Sequence, residues 1–197
     1  MDPLLIDVPE RIETERLLLR CPQPGDGPVL NAAVRDSLAE LRPWMPWAQV
    51  EPPLDESETY CRRMHARFGL REDLPMLIFA RDGAAGEGAL LGACGMHRID
   101  WNVPRFEIGY WRRSGHGVKG VIGEAVHALN RLAFDRLGAQ RVEIRMDAGN
   151  ARSARVAERA GFTFEGLLRQ DSRAPGGELR DTRVYSRVRG VEEVDVA

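Results

Sequence analysis

The feature that most constrains this chain is the succession RFEIGYW (105–111), a glycine cluster, VIGEAVHALNRLAFDRLG (121–138) and RVEIRM (141–146). The first segment alternates as a strand does, with Phe106, Ile108 and Tyr110 on one face and Glu107, Gly109 and Trp111 on the other. The third carries Val121, Ala125, Leu129, Leu132, Ala133 and Phe134 on one wide apolar face, and Gly138 ends it as a helix. Strand, helix and strand at this spacing make a right-handed crossover joining two parallel strands.

The rest of the chain is read around that unit. TERLLLR predicts a strand over 17–20. The turn cluster PQPGDGP precedes a helix that Asp26 is placed to cap and that Val29, Leu30, Ala33, Val34 and Leu38 stripe. Four prolines, Pro43, Pro46, Pro52 and Pro53, forbid a regular helix through the next stretch. A second helix is expected from Asp55 or Glu56, turning Tyr60, Cys61, Met64 and Phe68 inward. MLIFAR (76–81) and LLGACGM (90–96), separated by DGAAGEGA, read as an antiparallel pair. A short helix ending at Gly161 and two closing strands around APGGE complete the order. The expected fold is α/β, a single domain with a mixed, mostly antiparallel twisted sheet flanked by helices. Its expected limits are a loose arm over 1–12, the domain over 13–190 and a tail over 191–197.

Size and charge narrow the function. One domain is the default for 197 residues, and 43% hydrophobic with 29% charged residues is a globular profile. A formal net charge of −2 gives no polybasic body for nucleic acid. No apolar run approaches a membrane span, and the opening MDPLLIDVPE does not read as a signal peptide. Cys21, Cys61 and Cys94 lie far apart, as expected of free thiols in a reducing, cytoplasmic setting. His97, His116 and His127 share no ligand spacing, so no metal is expected.

Chemistry concentrates in RRSGHGVKG (112–120). Gly115, Gly117 and Gly120 allow a tight turn that exposes backbone amides. The first N–H groups of the following helix have no intrahelical partner and, with the helix dipole, favour an anion. Arg112, Arg113, His116 and Lys119 add positive charge, and a phosphate group is the natural ligand. A nucleoside triphosphatase loop would carry GKS or GKT where this chain has GVKGV, and a dinucleotide fingerprint belongs in the first strand–helix unit.

These segments together resemble the GNAT superfamily of N-acetyltransferases, and within it the branch that acetylates ribosomal-protein N-termini. The resemblance runs from about Glu13 to Arg187. It rests on TERLLLR, LRPWMPW, FEIGYW with GVKGVIGEA, the closing RDTRVYSRV and, most specifically, DAGNARSARVAERAGFTFEG (147–166). One departure stands out: the loop motif opens at Gly117 instead of glutamine or arginine and closes at Ile122 instead of glycine or alanine, whereas Gly120 and Glu124 are in place.

The resemblance implies an acetyl-CoA or other short acyl-CoA donor lying beside Gly109, Tyr110 and Trp111. Its pyrophosphate would lie over Gly117, Val118, Lys119, Gly120, Ile122 and Gly123. Arg112 or Arg113 would screen the outer phosphates or be merely solvated. Asn150 and Ser153 share a helix face. Asn150 either caps that helix or holds the pantetheine arm, and Ser153 would donate to the departing thiolate. No tyrosine lies in 147–166, which leaves serine or water for that step. Glu107 is the candidate base, or else a surface glutamate of an amphipathic strand. A backbone N–H near Gly109 or Tyr110 would bind the oxyanion. Trp44, Met45 and Trp47 would line an acceptor groove or plug the core edge.

Attack requires a neutral amine. At pH 7 its free base costs about 1 kcal/mol for an α-amine and about 4.6 kcal/mol for a lysine side chain. A protein or peptide N-terminus is therefore the favoured acceptor. A small-molecule amine, and a protein that binds acyl-CoA without turnover, remain as alternatives, the last because of the atypical loop. A homodimer is the commonest assembly for such a domain.

Overall fold

A computed structural model describes residues 2–81 and 86–192. Its strands are β1 (Arg11–Glu13), β2 (Leu17–Arg20), β3 (Leu74–Ala80), β4 (Leu90–Asp100), β5 (Arg105–Arg112), β6 (Arg141–Asp147), β7 (Thr163–Arg173) and β8 (Leu179–Val188). Its helices are α1 (Gly27–Leu41), α2 (Leu54–Gly69), α3 (Val121–Arg131) and α4 (Ala151–Arg159). The described strands form one sheet in the order β1-β2-β3-β4-β5-β6-β8-β7. Every adjacent pair is antiparallel except β5 and β6. This is the mixed sheet expected from the crossover.

The sheet separates two cores. Phe106, Ile108, Val121, Ala125, Leu129 and Ala157 pack on the face covered by α3 and α4. Leu18, Leu30, Val34, Cys61, Leu77 and Phe79 pack on the face covered by α1 and α2. The alternation read from β5 holds: Tyr110 joins the first core and Trp111 the second. Among the described residues no helix is long and apolar enough to cross a membrane.

Several local expectations change. The segment expected as a loose arm contains most of β1, and Val8 within it is 5% exposed. Burying Val8 and pairing β1 to β2 tie that segment down. Asp26 does not cap α1 with its side chain, because its carboxylate is taken by Arg20 at 2.7 and 2.8 Å and by the Gln23 N–H. Glu58 of α2 accepts instead from Gly25 and Gly27, and so serves the start of α1 from outside it. Tyr60 is half exposed on the edge of a cavity instead of inward. The helix expected over 121–138 is α3 followed by a π-helical turn, Leu132–Arg136. The turn between β3 and β4 and the tail extend into 82–85 and 193–197, outside the described residues.

Candidate functional site

The parallel pairing of β5 and β6 lasts only from Arg105 opposite Arg141 to Glu107 opposite Glu143. Beyond it the strands part. Ile108 to Arg112 keep β4 on one side and have no strand on the other, while β6 continues along β8 to Asp147. The result is a slot in the middle of the sheet.

The glycine loop stands at the end of this slot. Among the described residues, no backbone N–H from 115 to 123 donates to a protein acceptor. The first in-helix bond is made by the Glu124 N–H to the Gly120 carbonyl. Residues 117–120 are exposed, and a side chain at Gly117 or Gly123 would meet nothing within 4 Å. The loop before α3 is therefore exposed over 117–120, whereas Val121, the first helical residue, is buried. Gly120 caps α3 at φ 80°, a left-handed conformation that costs an L-residue.

What holds the loop is not local. Glu124 accepts from the Thr14 hydroxyl at 2.5 Å, the Arg16 N–H at 3.1 Å and the Arg16 guanidinium at 2.8 Å, and Arg16 also donates to the Lys119 carbonyl at 3.1 Å. Burial alone would raise the Glu124 carboxyl, but Thr14 and Arg16 more than offset it, and it lies below the ordinary range. On the other flank Arg113 grips Asp36 of α1 at 2.6 and 2.9 Å, and the Ser114 N–H donates to the Ser37 hydroxyl at 2.9 Å. Arg113 is thus an anchor between loop and α1 instead of a solvated cation. Arg112 is exposed and donates to the His116 carbonyl.

Across the slot, the Tyr110 hydroxyl lies 2.8 Å from Ser153 Oγ and 3.3 Å from the Ser153 carbonyl. Burial pushes the Tyr110 phenol up to about 12 even though Ser153 opposes the shift, so it is a neutral O–H at physiological pH. The sequence left only serine or water as proton donor because it counted tyrosines in 147–166. The structure brings the Tyr110 phenol of β5 beside Ser153. The alternation of β5, which puts Tyr110 on the α4 side, was the signal available. Asn150 Oδ1 accepts from the Ser153 N–H at 3.0 Å, so its carbonyl serves as the α4 cap, and it fixes the turn that presents Ser153.

On the opposite face, a cavity of about 400 Å³ runs from the irregular 42–53 segment down to Gly109, Tyr110 and Trp111. Met45 and Trp47 line it, together with Tyr60, Cys94 and His97. The Trp47 and Trp111 rings meet edge-on with centroids 6.1 Å apart. Trp44, expected beside them, turns away and packs at the β6–α4 turn, its ring 4.0 Å from where a side chain at Gly149 would begin. Cys94 is buried, and burial pushes its thiol up, away from nucleophilic use.

Glu107 faces this side too, opposite His97 in the β4–β5 register. Its carboxylate is 21% exposed and lies 3.4 Å from Arg98. Burial raises it above the ordinary carboxylate range, against the pull of Arg98 and Arg145.

The chain is similar to known proteins in sequence and in fold. Residues 16–163 match the model of the acetyltransferase (GNAT) domain family. The chain is 30% identical over 172 residues to the putative ribosomal N-acetyltransferase YdaF of Bacillus subtilis (strain 168), covering 87% of this chain and 91% of that protein. Two solved structures share the fold. One is the microcin C7 self-immunity acetyltransferase MccE with acetyl-CoA and AMP, with a TM-score of 0.83 at 22% identity over 92% of this chain and 97% of that one. The other is the ribosomal L7/L12 α-N-protein acetyltransferase RimL with coenzyme A, with a TM-score of 0.82 at 23% identity over 91% and 98%.

Proposed function

We propose, from the premise that this chain belongs to the acetyltransferase (GNAT) domain family, that it transfers an acetyl group from acetyl-CoA to the α-amine of a protein or peptide. The observation that carries this reading is the run of unbonded amides over 115–123 at the end of the slot between β5 and β6. A diphosphate satisfies those donors and the α3 dipole together, and a linear thioester arm fits the slot beside Gly109–Trp111. The atypical loop does not oppose this, because the donors that Gly117, Val118, Lys119, Gly120, Ile122 and Gly123 offer belong to the backbone.

The chemistry divides between the two faces of the sheet. The amine reaches the thioester from the cavity that Met45 and Trp47 line. A β5 N–H near Gly109 or Tyr110 meets the oxyanion as the N–C bond forms. As the C–S bond breaks, the Tyr110–Ser153 pair supplies a proton to the leaving sulfur from the α4 side. The amine's own proton leaves on the other face, where Glu107 lies. Asn150 holds Ser153 in place through the cap.

An α-amine suits the site because its neutral form is cheap near pH 7. The family branch of YdaF supports a protein acceptor. A second reading, a small-molecule amine, is favoured by the modest volume of the cavity that Trp47, Tyr60 and Trp111 line, about 400 Å³. The test is mass spectrometry of the purified protein offered several acyl-CoAs with a panel of peptides and small amines, with thiol release followed alongside. Acetylated peptide N-termini are expected. Tight acetyl-CoA binding with no amine-dependent thiol release would sink the enzyme reading in favour of binding alone.

A further inference from the structure

His97 is the imidazole of the cavity wall, and its surroundings are those of an oriented base. Its Nδ1 lies 3.2 Å from Asp73 Oδ1, and Asp73 is buried and held from behind by Arg67 at 2.8 Å. An ionised carboxylate can only accept, so Nδ1 carries a proton, and in the neutral ring Nε2 then carries the lone pair. Nε2 lies over Gly109: a Cβ there would stand 3.2 Å from His97 Cδ2 and 3.5 Å from Nε2. The absence of a side chain at Gly109 is what lets the ring lie across β5. The lone pair is thereby placed beside the strand along which the thioester runs in the proposed function.

We propose that His97 is the catalytic residue that accepts the proton of the attacking amine, with Asp73 as the positioning residue that fixes its tautomer. This rests on the acyltransferase reading and deepens it. The amine nitrogen forms its bond to the thioester carbon, and its surplus proton passes to His97 Nε2. The C–S bond breaks, and the thiolate takes a proton from the Tyr110–Ser153 pair; solvent returns both groups to their starting states. Glu107 is the weaker acceptor. It leans on Arg98 at 3.4 Å and does not line the cavity, whereas His97 does. An imidazole also titrates nearer an α-amine than a carboxylate does, so less of the driving force is lost in the transfer. The charged and titratable groups around His97 are Asp73 before β3, Arg67, Glu56 and Tyr60 on α2, Arg98 on β4 and Glu107 on β5.

Two measurements decide it. The first follows kcat for amine-dependent thiol release against pH in wild type, His97→Gln, Asp73→Asn and Glu107→Gln, with CoA affinity measured in each. His97→Gln should lower kcat by about 10²–10⁴-fold and abolish the acidic limb of the profile while CoA affinity holds. Glu107→Gln should cost less and keep the limb. The second reads the tautomer by 15N NMR of the labelled protein, with the His97 signal identified by its loss in His97→Gln. Nε2 should be unprotonated at neutral pH in wild type. Asp73→Asn should move the proton to Nε2 and lower kcat, which a merely structural aspartate would not do. Turnover in wild type with an unchanged profile in His97→Gln, or a wild-type Nε2–H tautomer, overturns the proposal alone. Wild type that releases no thiol with any amine overturns the acyltransferase reading, and the proposal with it.

Discussion

The Tyr110 hydroxyl stands 2.8 Å from Ser153 Oγ, and the pair joins β5 to α4 across the slot where β5 and β6 part. Two hydroxyls in contact can pass a proton that neither would deliver as well alone. Tyr110→Phe and Ser153→Ala are each expected to lower kcat by about 10²-fold, at the low end for a general acid, with the CoA dissociation constant changed less than kcat. The double variant should lose little more than the worse single one, since the groups act as a unit. Single-turnover thiol release checks this, and additive losses would contradict it.

Gly120→Ala should weaken donor binding. The residue sits at φ 80°, and a Cβ there would come 3.2 Å from the Arg16 guanidinium. Left-handed backbone costs an L-residue about 1–2 kcal/mol. The cap relaxes by turning its amides out of line, so CoA affinity is expected to fall about 5–30-fold by calorimetry. Gly123→Ala, with open space around it, should change affinity far less.

Glu124→Gln tests whether the loop is braced from the turn between β1 and β2. The substitution keeps the size of the side chain and removes the charge that Arg16 grips at 2.6 Å. Arg16 is half exposed, so a loss of about 1 kcal/mol is expected, read as a rise of about fivefold in the donor dissociation constant. Acceptor KM should not move with it.

Trp47→Ala should do the reverse. Trp47 lines the cavity and meets Trp111 edge-on, away from the loop. Acceptor KM is expected to rise about tenfold, the scale of one aromatic contact with its burial, while CoA affinity stays within twofold. Equal effects on both substrates would show the cavity to be a structural fill.

Acid should unfold the protein partly through Asp26. Burial pushes its carboxyl up, but Arg20 and the Gln23 N–H more than offset this, and the folded value lies below the unfolded one. The stabilisation is therefore present above the unfolded carboxylate range near pH 4 and is lost as pH falls through the depressed folded value. Breaking a buried pair costs about 3–5 kcal/mol. Asp26→Asn should lower the melting temperature at pH 7 and flatten its dependence on pH below about 4.

The elements were legible where the signal was local. The period-2 alternation of 105–111, the apolar stripe of 121–134 and the glycines between them are properties of neighbours in sequence, and they gave the crossover and the open amides. Missed features depend on contacts between distant segments. Glu124 reaches back to Thr14, Arg113 to Asp36, and His97 to Asp73, and no spacing rule links such residues. Asp26 looked like a cap because the cap rule knows only the helix that follows, not the arginine on β2 that claims the carboxylate. Trp44 and Trp47 read alike in sequence, and only the irregular path of 42–49 sends one to Gly149 and the other to the cavity.

Among the described residues, three rungs between β5 and β6 are the only strand pairing that joins the first five strands to the last three. A ligand arm lying in the slot, with amides of its own, would act as a rivet across that seam. Empty protein should breathe there before it loosens elsewhere: backbone hydrogens of 108–112 exchange early, a protease finds this region first, and filling the slot silences both.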